Sequence, residues 1–461
     1  MASKSLLIIG SGPGGYAAAM EAARRGLRVT LVERQTLGGT CVNRGCIPSK
    51  YFLSKANFFS QRPGEEPPSV MAHLQRQKNA IVDTLRQRMQ QALKSSRITW
   101  AAGSARIASS HSIELTAPDG RRATLEADFL LLAAGTQPLK PKMFPDHAAV
   151  LDSTSALDLD QAPARLVVLG GGYIGCELAC AFQGLGSQVT LIEKEPRLLP
   201  AQSEFEAASM ILQRAFEKRN LRVWTGTAVH AVVPQDERRL QISCSNGETL
   251  EADALLLALG RAPRWEELGL EQAGLSLTGG RLSVNGQMQT AAASVYAIGD
   301  LVSPVPLAHV AAREGEIAVA HMCGENQTID YTQIPRCVYT WPEAAAVGLT
   351  EAQARQAGYT PRTDRYHFAA NAKALVEEQA EGFWAVVSEA DGGKILGAQI
   401  VGAHATELIH LVSLSLKAGL RAQDIADTVF AHPTLSEGFP EAMKRSRAPR
   451  MASEIRSPGP A

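Results

Sequence analysis

The chain has no excess of charge of either sign: 46 Lys and Arg balance 46 Asp and Glu. Nucleic-acid binders carry a basic surplus and charged disordered chains a net charge, so both classes are disfavoured and no nucleic-acid partner is expected. No apolar run approaches the roughly 18–20 residues that cross a bilayer, so no membrane partner is expected either. The start, Met1 to Ser5, leads into four apolar residues and then a glycine cluster, too short a stretch for a signal-peptide core. Cysteine is sparse, seven in 461 residues, which excludes a secreted disulfide framework. The expectation is a cytoplasmic protein. At 45% hydrophobic and 20% charged the composition is that of a globular chain, and the length accommodates roughly three or four domains.

One pattern occurs twice. Leu6-Leu-Ile-Ile9 is a buried-strand run, followed by Gly10-Ser-Gly-Pro-Gly-Gly15, an alanine-rich helix through Arg25, a terminating Gly26 and the strand Val29–Glu33. Leu166–Leu169 then leads into Gly170-Gly-Gly-Tyr-Ile-Gly175, a helix to about Leu185, Gly186 and the strand Val189–Glu193. In both copies the acid stands 23 positions after the first glycine, Gly10 to Glu33 and Gly170 to Glu193. Each copy is followed by an apolar strand ending in glycine, Phe129–Gly135 and Ala254–Gly260. An internal repeat of this length is not a solenoid; it indicates two related nucleotide-binding domains. Between them a long helix is predicted over about Val70–Ser95, with Leu74, Ile81, Leu85, Met89 and Leu93 on one face, preceded by a loop at Arg62–Pro68. After about residue 330, strands at Phe383–Val387 and Ile395–Ile400 precede a helix at Thr406–Ala418, an α+β pattern. The stretch from Arg447 to Ala461, rich in Pro, Ser and Arg, is expected to fray.

Gly10, Gly12 and Gly15 have separate uses. The first permits a tight turn, the second lets backbone amides approach a pyrophosphate, and the third lets helix pack on strand. The helix N-terminus adds its dipole, and Glu33 would accept hydrogen bonds from a ribose diol. A glycine motif alone is weak evidence; the strand before it, the helix after it and the acid at the right offset make it strong. Gly14 belongs to the same turn. Gly170, Gly172, Tyr173, Ile174, Gly175 and Glu193 repeat the logic. An acid at 193 favours a free 2′-hydroxyl over a 2′-phosphate, hence NAD over NADP, although Lys194 and Arg197 stand near enough to weaken that preference. Two dinucleotide sites imply two redox cofactors exchanging electrons.

The most specific segment is Gly38-Gly-Thr-Cys41-Val-Asn-Arg-Gly-Cys46-Ile-Pro-Ser-Lys50. Cys41 and Cys46 can bridge if the turn at Gly45 brings their Cα atoms within about 7 Å. An intracellular disulfide is usually catalytic or redox-sensing. Zinc would need further Cys or His at short spacing, and none follows, so no metal is expected. Lys50 shares a helical face with Cys46 if a helix starts near Pro48, and a cation and a helix N-terminus both favour a thiolate. Cys176, Cys180, Cys244, Cys323 and Cys337 lack a motif and read as small buried hydrophobes. His432 precedes a proline, with Glu437 five positions on to orient one ring nitrogen.

With these residues in place, the chain resembles the pyridine nucleotide–disulfide oxidoreductase family over nearly its whole length, most closely the dihydrolipoamide dehydrogenase branch. The resemblance rests on the GGTC-x4-C-IPSK block, both nucleotide motifs, Ala297-Ile-Gly-Asp300, Phe368-Ala-Ala-Asn371, Ile395–Gly402 and Ala431-His-Pro-Thr-Leu-Ser-Glu437, in the family's order. The fold it implies is α/β, with two Rossmann-like domains, FAD-binding at 1–149 and NAD-binding at 150–268. A central segment at 269–333 completes the FAD site, and 334–461 form a C-terminal α+β dimerisation domain. By the same resemblance Asp300 meets the FAD ribityl chain, the backbone at Leu307, Ala308 and His309 meets the flavin ring, and Lys50 lies by its reactive edge. Thr40, Thr136 and the Ala105 backbone are further FAD contacts, and Gly260 belongs to the NAD site. It further implies that Cys41 meets the attacking substrate thiol, that Cys46 faces the flavin, and that His432 and Glu437 serve the partner subunit's disulfide. The expected enzyme is a homodimer that oxidises dihydrolipoyl groups on a carrier of a 2-oxo acid dehydrogenase or glycine-cleavage type system and reduces NAD+.

Two alternatives stand beside it: an NAD(P)H-dependent reductase of another disulfide or a quinone, and a non-catalytic assembly subunit of a multienzyme complex. Intact Cys41, Cys46, His432 and Glu437 weigh against the second. Two positions depart from the family's pattern. Residue 44 is Arg where relatives commonly carry a small apolar residue, and residue 51 is Tyr where Ala is common. A cation at 44 would favour the thiolate or an anionic substrate, or simply face solvent.

Overall fold

The computed structural model describes residues 3–60 and 67–445, and its contacts divide into two units, Met1–Leu198 with Phe216–Tyr331, and Leu199–Ala215 with Thr332–Ala461. In the first unit β1 (Ser5–Ile9), α1 (Pro13–Arg24) and β2 (Arg28–Glu33) are followed by α2 (Gly39–Arg44), α3 (Cys46–Ser60) and α4 (Pro67–Ser95). β3 (Thr99–Ala102) leads into an antiparallel ribbon of β4 (Ser104–Ser109), β5 (Ser112–Thr116) and β6 (Arg122–Glu126), after which β7 (Phe129–Leu132) returns beside β1. Beyond β8 (Gln137–Pro138), β9 (Val150–Leu151) and α5 (Ser153–Ala156), the repeat begins with β10 (Arg165–Leu169), α6 (Tyr173–Gly184) and β11 (Gln188–Ile192). After α7 (Glu206–Lys218), whose residues up to Ala215 belong to the second unit, β12 (Arg222–Trp224) and a second antiparallel ribbon, β13 (Val229–Asp236), β14 (Arg239–Cys244) and β15 (Thr249–Ala252), precede β16 (Ala254–Leu257). β17 (Arg261–Ala262) pairs with β8, and β18 (Val295–Ala297) and α8 (Ala308–Met322) complete the unit.

Two parallel sheets result, β18-β7-β1-β2-β3 and β12-β11-β10-β16-β9. Their central registers match: Leu6 lies opposite Val29 and Phe129, and Leu166 opposite Val189 and Ala254. Parallel strands are covered on both faces, which explains why each central strand reads as an unbroken apolar run. Leu6, Ile8 and Leu31 pack with Ala18 and Ala22 of α1 on one face, while Leu7, Ile9 and Val32 pack with Ile107 and Ile113 of the ribbon on the other. Val167, Leu169 and Leu255 pack on Leu240 and Ile242 in the second sheet. α1 lies on α8 through glycines; a Cβ on Gly14 would stand 2.9 Å from the Ala311 carbonyl oxygen, and one on Gly315 2.7 Å from that of Gly14.

In the second unit β19 (Arg336–Val338), β20 (Glu343–Gly348), α9 (Glu351–Gln356), β21 (Pro361–His367), α10 (Ala372–Val376), β22 (Phe383–Glu389) and β23 (Ile395–Gly402) precede three helices. These are α11 (Ala405–Ala418), α12 (Ala422–Asp427) and α13 (Gly438–Arg445). The strands form one antiparallel sheet, β19-β20-β23-β22-β21, and Ile409, Val412, Phe439 and Met443 pack against its Trp384, Val386 and Ile400. The architecture is α/β, two parallel nucleotide-binding sheets followed by an α+β unit. Among the described residues, no helix is long and apolar enough to cross a membrane.

Several expectations change. The long helix starts at Pro67, so Pro67 and Pro68 are helical rather than looped; residues 61–66 and the tail 447–461 lie outside the described residues. Ile81 is exposed, and the buried stripe runs instead through Met71, Leu74, Gln75, Lys78, Val82 and Leu93. Lys78 is accommodated because its Nζ donates to the Leu157 carbonyl at 3.0 Å and to Asp158 Oδ1 at 2.9 Å. Cys323 is exposed and Cys337 half-buried, so only Cys176, Cys180 and Cys244 are the buried thiols expected.

Candidate functional site

The glycines of the two turns divide by what surrounds them. A Cβ on Gly10, whose φ is +104°, would lie 2.3 Å from the Ala133 carbonyl oxygen, and one on Gly15 1.9 Å from that of Gly10. Gly170 and Gly175 meet the same obstruction, 2.4 Å from the Ala258 oxygen and 1.8 Å from that of Gly170. Gly12 and Gly172, the N-caps of α1 and α6, face open space instead. Helix N-termini that carry unpaired amides beside an open glycine suit a diphosphate. Glu33 Oε2 accepts from Ser11 N–H at 3.0 Å and Ser11 Oγ at 2.7 Å, and its Oε1 from Gln35 N–H at 2.8 Å. Glu193 accepts from Gly171 N–H at 2.6 Å and Glu195 N–H at 2.8 Å. A carboxylate has about four acceptor positions, so each acid keeps capacity for a ribose hydroxyl. The residues fit two dinucleotides. The Cβ direction of Gly14 faces α8, with the Ala311 carbonyl oxygen 2.9 Å away.

Asp300, in the turn Gly299–Leu301, accepts from Thr136 Oγ1 at 3.1 Å. Arg261 forks onto the same threonine, with Nε 2.9 Å from Thr136 Oγ1 and a terminal nitrogen 2.7 Å from its carbonyl oxygen. Burial lowers the Arg261 pKa, opposed by the carboxylates of Asp300 and Asp152. Glu314, fully buried on α8, accepts from Gly299 N–H at 2.7 Å and from Tyr331 Oη at 2.6 Å. Burial pushes its carboxyl pKa up while these donors oppose the shift. Leu307 caps α8, placing Ala308 and His309 in its first turn. Gly103 N–H donates to the Glu33 carbonyl at 2.9 Å, which sets the start of β4, Ala105 included, at the Glu33 end of the first sheet. Gly260, at φ +107°, immediately precedes Arg261.

The cysteine segment sits against the first turn. A Cβ on Gly39 would be 2.7 Å from Gly12 Cα, and Gly38 N–H donates to Ser11 Oγ at 3.2 Å. Thr40 and Cys41 therefore enter α2 beside Gly12, Gly45 breaks the helix, and α3 starts at Cys46 rather than Pro48. Cys41 and Cys46 form a disulfide with their Cα atoms 4.6 Å apart. Lys50, one turn along α3, pairs with Glu177 of α6, Nζ to Oε2 2.6 Å. The two helices approach closely because position 184 is glycine; a Cβ there would stand 2.8 Å from the Ala56 carbonyl oxygen. Arg44 turns to Gln35, donating to its Oε1 at 2.6 Å, and Tyr51 Oη bonds Gln77 Oε1, with burial raising the phenol pKa.

In the second unit His432 Nδ1 lies 3.0 Å from Glu437 Oε1, and Glu437 Oε2 accepts from Thr434 N–H at 2.8 Å. That backbone bond, aided by His432, lowers the Glu437 pKa. Asn371 Nδ2 donates to the Thr434 carbonyl at 3.0 Å, and α13 behind the segment stacks Phe439 on Trp384. His432 remains largely exposed, its Nδ1 engaged by the carboxylate and its Nε2 on the far side of the ring.

Residues 4–315 match the family model for "Pyridine nucleotide-disulphide oxidoreductase", and residues 334–443 match that family's dimerisation domain. The chain belongs to the pyridine nucleotide-disulphide oxidoreductases. As a member of that family it is a FAD- and NAD-dependent oxidoreductase. It is 40% identical over 455 residues to a dihydrolipoyl dehydrogenase of Thermus scotoductus, covering 96% of this chain and 97% of the relative. It is 38% identical over 450 residues to one of Bacillus subtilis, covering 95% and 98%. Among solved structures, LpdA of Mycobacterium tuberculosis superposes with a TM-score of 0.89 at 28% identity, covering 96% of this chain and all of that one. The HOCl-induced flavoprotein disulfide reductase RclA of Escherichia coli gives 0.85 at 27% identity, covering 95% and 99%.

Four residues of this oxidoreductase site were missed in the sequence: Ser11, Glu177, Arg261 and Glu314. Of these, Glu177 left a signal, the one charged residue of a mostly apolar helix, two positions after Gly175.

Proposed function

We propose that this oxidoreductase is a homodimeric dihydrolipoyl dehydrogenase, with FAD on the first glycine turn and NAD on the second. The observation that carries the reading is the Cys41–Cys46 disulfide, set against Gly12 through Gly39 and tied to the helix of the second turn through Lys50 and Glu177. The substrate class comes from full-length relatives that are named dihydrolipoyl dehydrogenases. The domain assignment stays with it: FAD-binding at 1–149, NAD-binding at 150–268, a central segment at 269–333 and dimerisation at 334–461.

In this reading His432 takes the proton of a dihydrolipoyl thiol on Nε2, with Nδ1 held by Glu437. The substrate thiolate attacks Cys41 Sγ, the Cys41–Cys46 bond breaks, and its electron pair leaves on Cys46 as a thiolate. The second substrate thiol then attacks the mixed disulfide, closing the lipoyl ring and releasing Cys41 sulfur. The substrate has lost two electrons and two protons, and the protein disulfide has become two thiols. FAD and NAD+ supply the sink for that electron pair, which ends as the hydride of NADH. Lys50, held by Glu177, would lie by the reactive edge of the flavin, and Asp300, held by Thr136, would meet the ribityl chain. Glu193 disfavours a 2′-phosphate by charge repulsion. The resemblance to the family implies that His432 of each protomer serves its partner's disulfide. The carrier is a lipoyl-bearing domain of a 2-oxo acid dehydrogenase or glycine-cleavage type system. A cytoplasmic location accords with five cysteines that remain thiols.

The test is steady-state NAD+ reduction with dihydrolipoamide and with isolated lipoyl domains. Native enzyme should turn over both, and Cys46→Ser should lose nearly all disulfide-dependent activity while keeping FAD. Full turnover in Cys46→Ser would overturn the mechanism.

A further inference from the structure

The cation at position 44 has no role in the chemistry above, and its guanidinium is directed to Gln35. Arg44 stands four residues after Thr40 on α2, so the two share a helical face. α2 is pressed on the first glycine turn, with the Cβ direction of Gly39 aimed at Gly12 Cα and Gly38 N–H on Ser11 Oγ. The Arg44 guanidinium donates to Gln35 Oε1, and Gln35 N–H in turn donates to Glu33 Oε1. Gln35 thus binds the Glu33 carboxylate through its backbone and this guanidinium through its side chain. On the other side stands Arg261, forked on Thr136 beside Asp300. Arg44 is near enough to disfavour the charge on Arg261. Each guanidinium disfavours the charge of the other, and an anion bound beside them would relieve that.

We infer that Arg44 is a FAD-binding residue, clamping the diphosphate of the dinucleotide from the α2 side against the open face of Gly12. The inference rests on the reading that FAD occupies the first turn. A guanidinium suits this position because its fork matches phosphate oxygens, which an aliphatic residue cannot do. The helix dipole of α1 contributes only about half a charge at that point. Glu33 and Asp300 place two further anions beside the diphosphate, so a full positive charge there lowers the electrostatic cost of loading FAD. Gln35 aims the side chain, leaving the remaining N–H groups of the fork for phosphate.

The experiment removes FAD and titrates the apoprotein with FAD by flavin fluorescence at low and moderate salt, with ADP as a flavin-free competitor. Arg44→Val should raise the FAD dissociation constant about tenfold and flatten its salt dependence. Its inhibition constant for ADP displacing FAD should rise by a similar factor, because ADP carries the same diphosphate. Arg44→Lys should fall between, and Gln35→Ala should weaken FAD by a smaller factor. If Arg44→Val fails to fold, the Lys and Gln35→Ala variants carry the comparison. Unchanged FAD affinity overturns the inference, whether or not the KM for dihydrolipoamide rises. Gly12→Val separates this from the underlying reading: if it still loads FAD with native affinity, the first turn is not the flavin site at all. Loss of FAD in Gly12→Val beside native affinity in the Arg44 and Gln35 variants overturns the Arg44 assignment alone.

Discussion

At the scale of single residues, identical glycines do different work, and substitution separates them. Gly15→Ala forces a Cβ to within 1.9 Å of the Gly10 carbonyl oxygen, a backbone atom with nowhere to move. We expect it to cost about 3 kcal/mol of stability, at the upper end of overpacking penalties, visible as a lower urea midpoint. A Cβ on Gly12 has nothing within 4 Å, so Gly12→Val should keep the native urea midpoint while losing FAD. Equal stability losses in the two variants would mean that Gly12 is a folding glycine too. The glycines and the two cysteines were legible because few residue types can satisfy a tight turn or a disulfide, and both acids because each stands at the same offset from its turn, onto which it folds back. Ser11, Arg261 and Glu314 were not, because their roles are set by partners far along the chain. Arg261 reaches Thr136, and Glu314 acts through Gly299 and Tyr331. Nothing near Arg261 or Glu314 in the sequence names those partners.

At the scale of elements, strands of the parallel sheets were readable because burial on both faces makes them continuously apolar. Helix α4 was readable in extent but misassigned in face. Apolar periodicity alone puts Ile81 in the stripe where Val82 and the buried Lys78 belong. A long side chain that finds a carbonyl and a carboxylate can occupy a core position that hydropathy gives to its neighbour. α1 carries an electrostatic tie of its own. Glu21 bonds Arg24 and Arg25, and Arg25 also reaches Glu325 just beyond α8. Hydrogen bonding to Arg24, then to Arg25, holds the Glu21 pKa down at about 2. A depressed carboxylate stabilises the fold above its unfolded pKa, and that contribution disappears as pH falls through the folded value. Glu21→Gln should therefore lose about 0.5–1 kcal/mol at neutral pH after solvent screening. In urea titrations the gap between variant and native protein should narrow below about pH 4.5 and close near about 2. A gap independent of pH would assign the effect to packing.

At the scale of the molecule, the internal repeat disclosed two nucleotide-binding sheets, since the same strand–turn–helix–acid order recurs with the same spacing. Residue by residue, the second unit reads as strands before helices and its His432 as a histidine with a nearby acid; the dimerisation role and the partner's disulfide come only from the family resemblance. In the reading proposed above, what that histidine acts on depends on assembly, and a single chain's pattern does not encode the neighbour. His432→Gln should lose roughly 10²–10⁴-fold in rate with FAD content unchanged. Mixing inactive His432→Gln protomers with inactive Cys41→Ser protomers should restore activity, because one site per heterodimer then joins an intact disulfide to an intact base. No recovery after verified subunit exchange would place His432 elsewhere. The central claim, that dihydrolipoyl thiols hand their electrons to the Cys41–Cys46 disulfide, has a more direct test. Native holoenzyme is treated anaerobically with one equivalent of dihydrolipoamide, alkylated, and its labelled cysteines are located by peptide mass spectrometry. Exposed Cys323 serves as the constant control. The account predicts that Cys41 and Cys46 become labelled together, and that NAD+ added before the alkylating agent protects both. Labelling that spares these two cysteines, or that persists in NAD+, would contradict it.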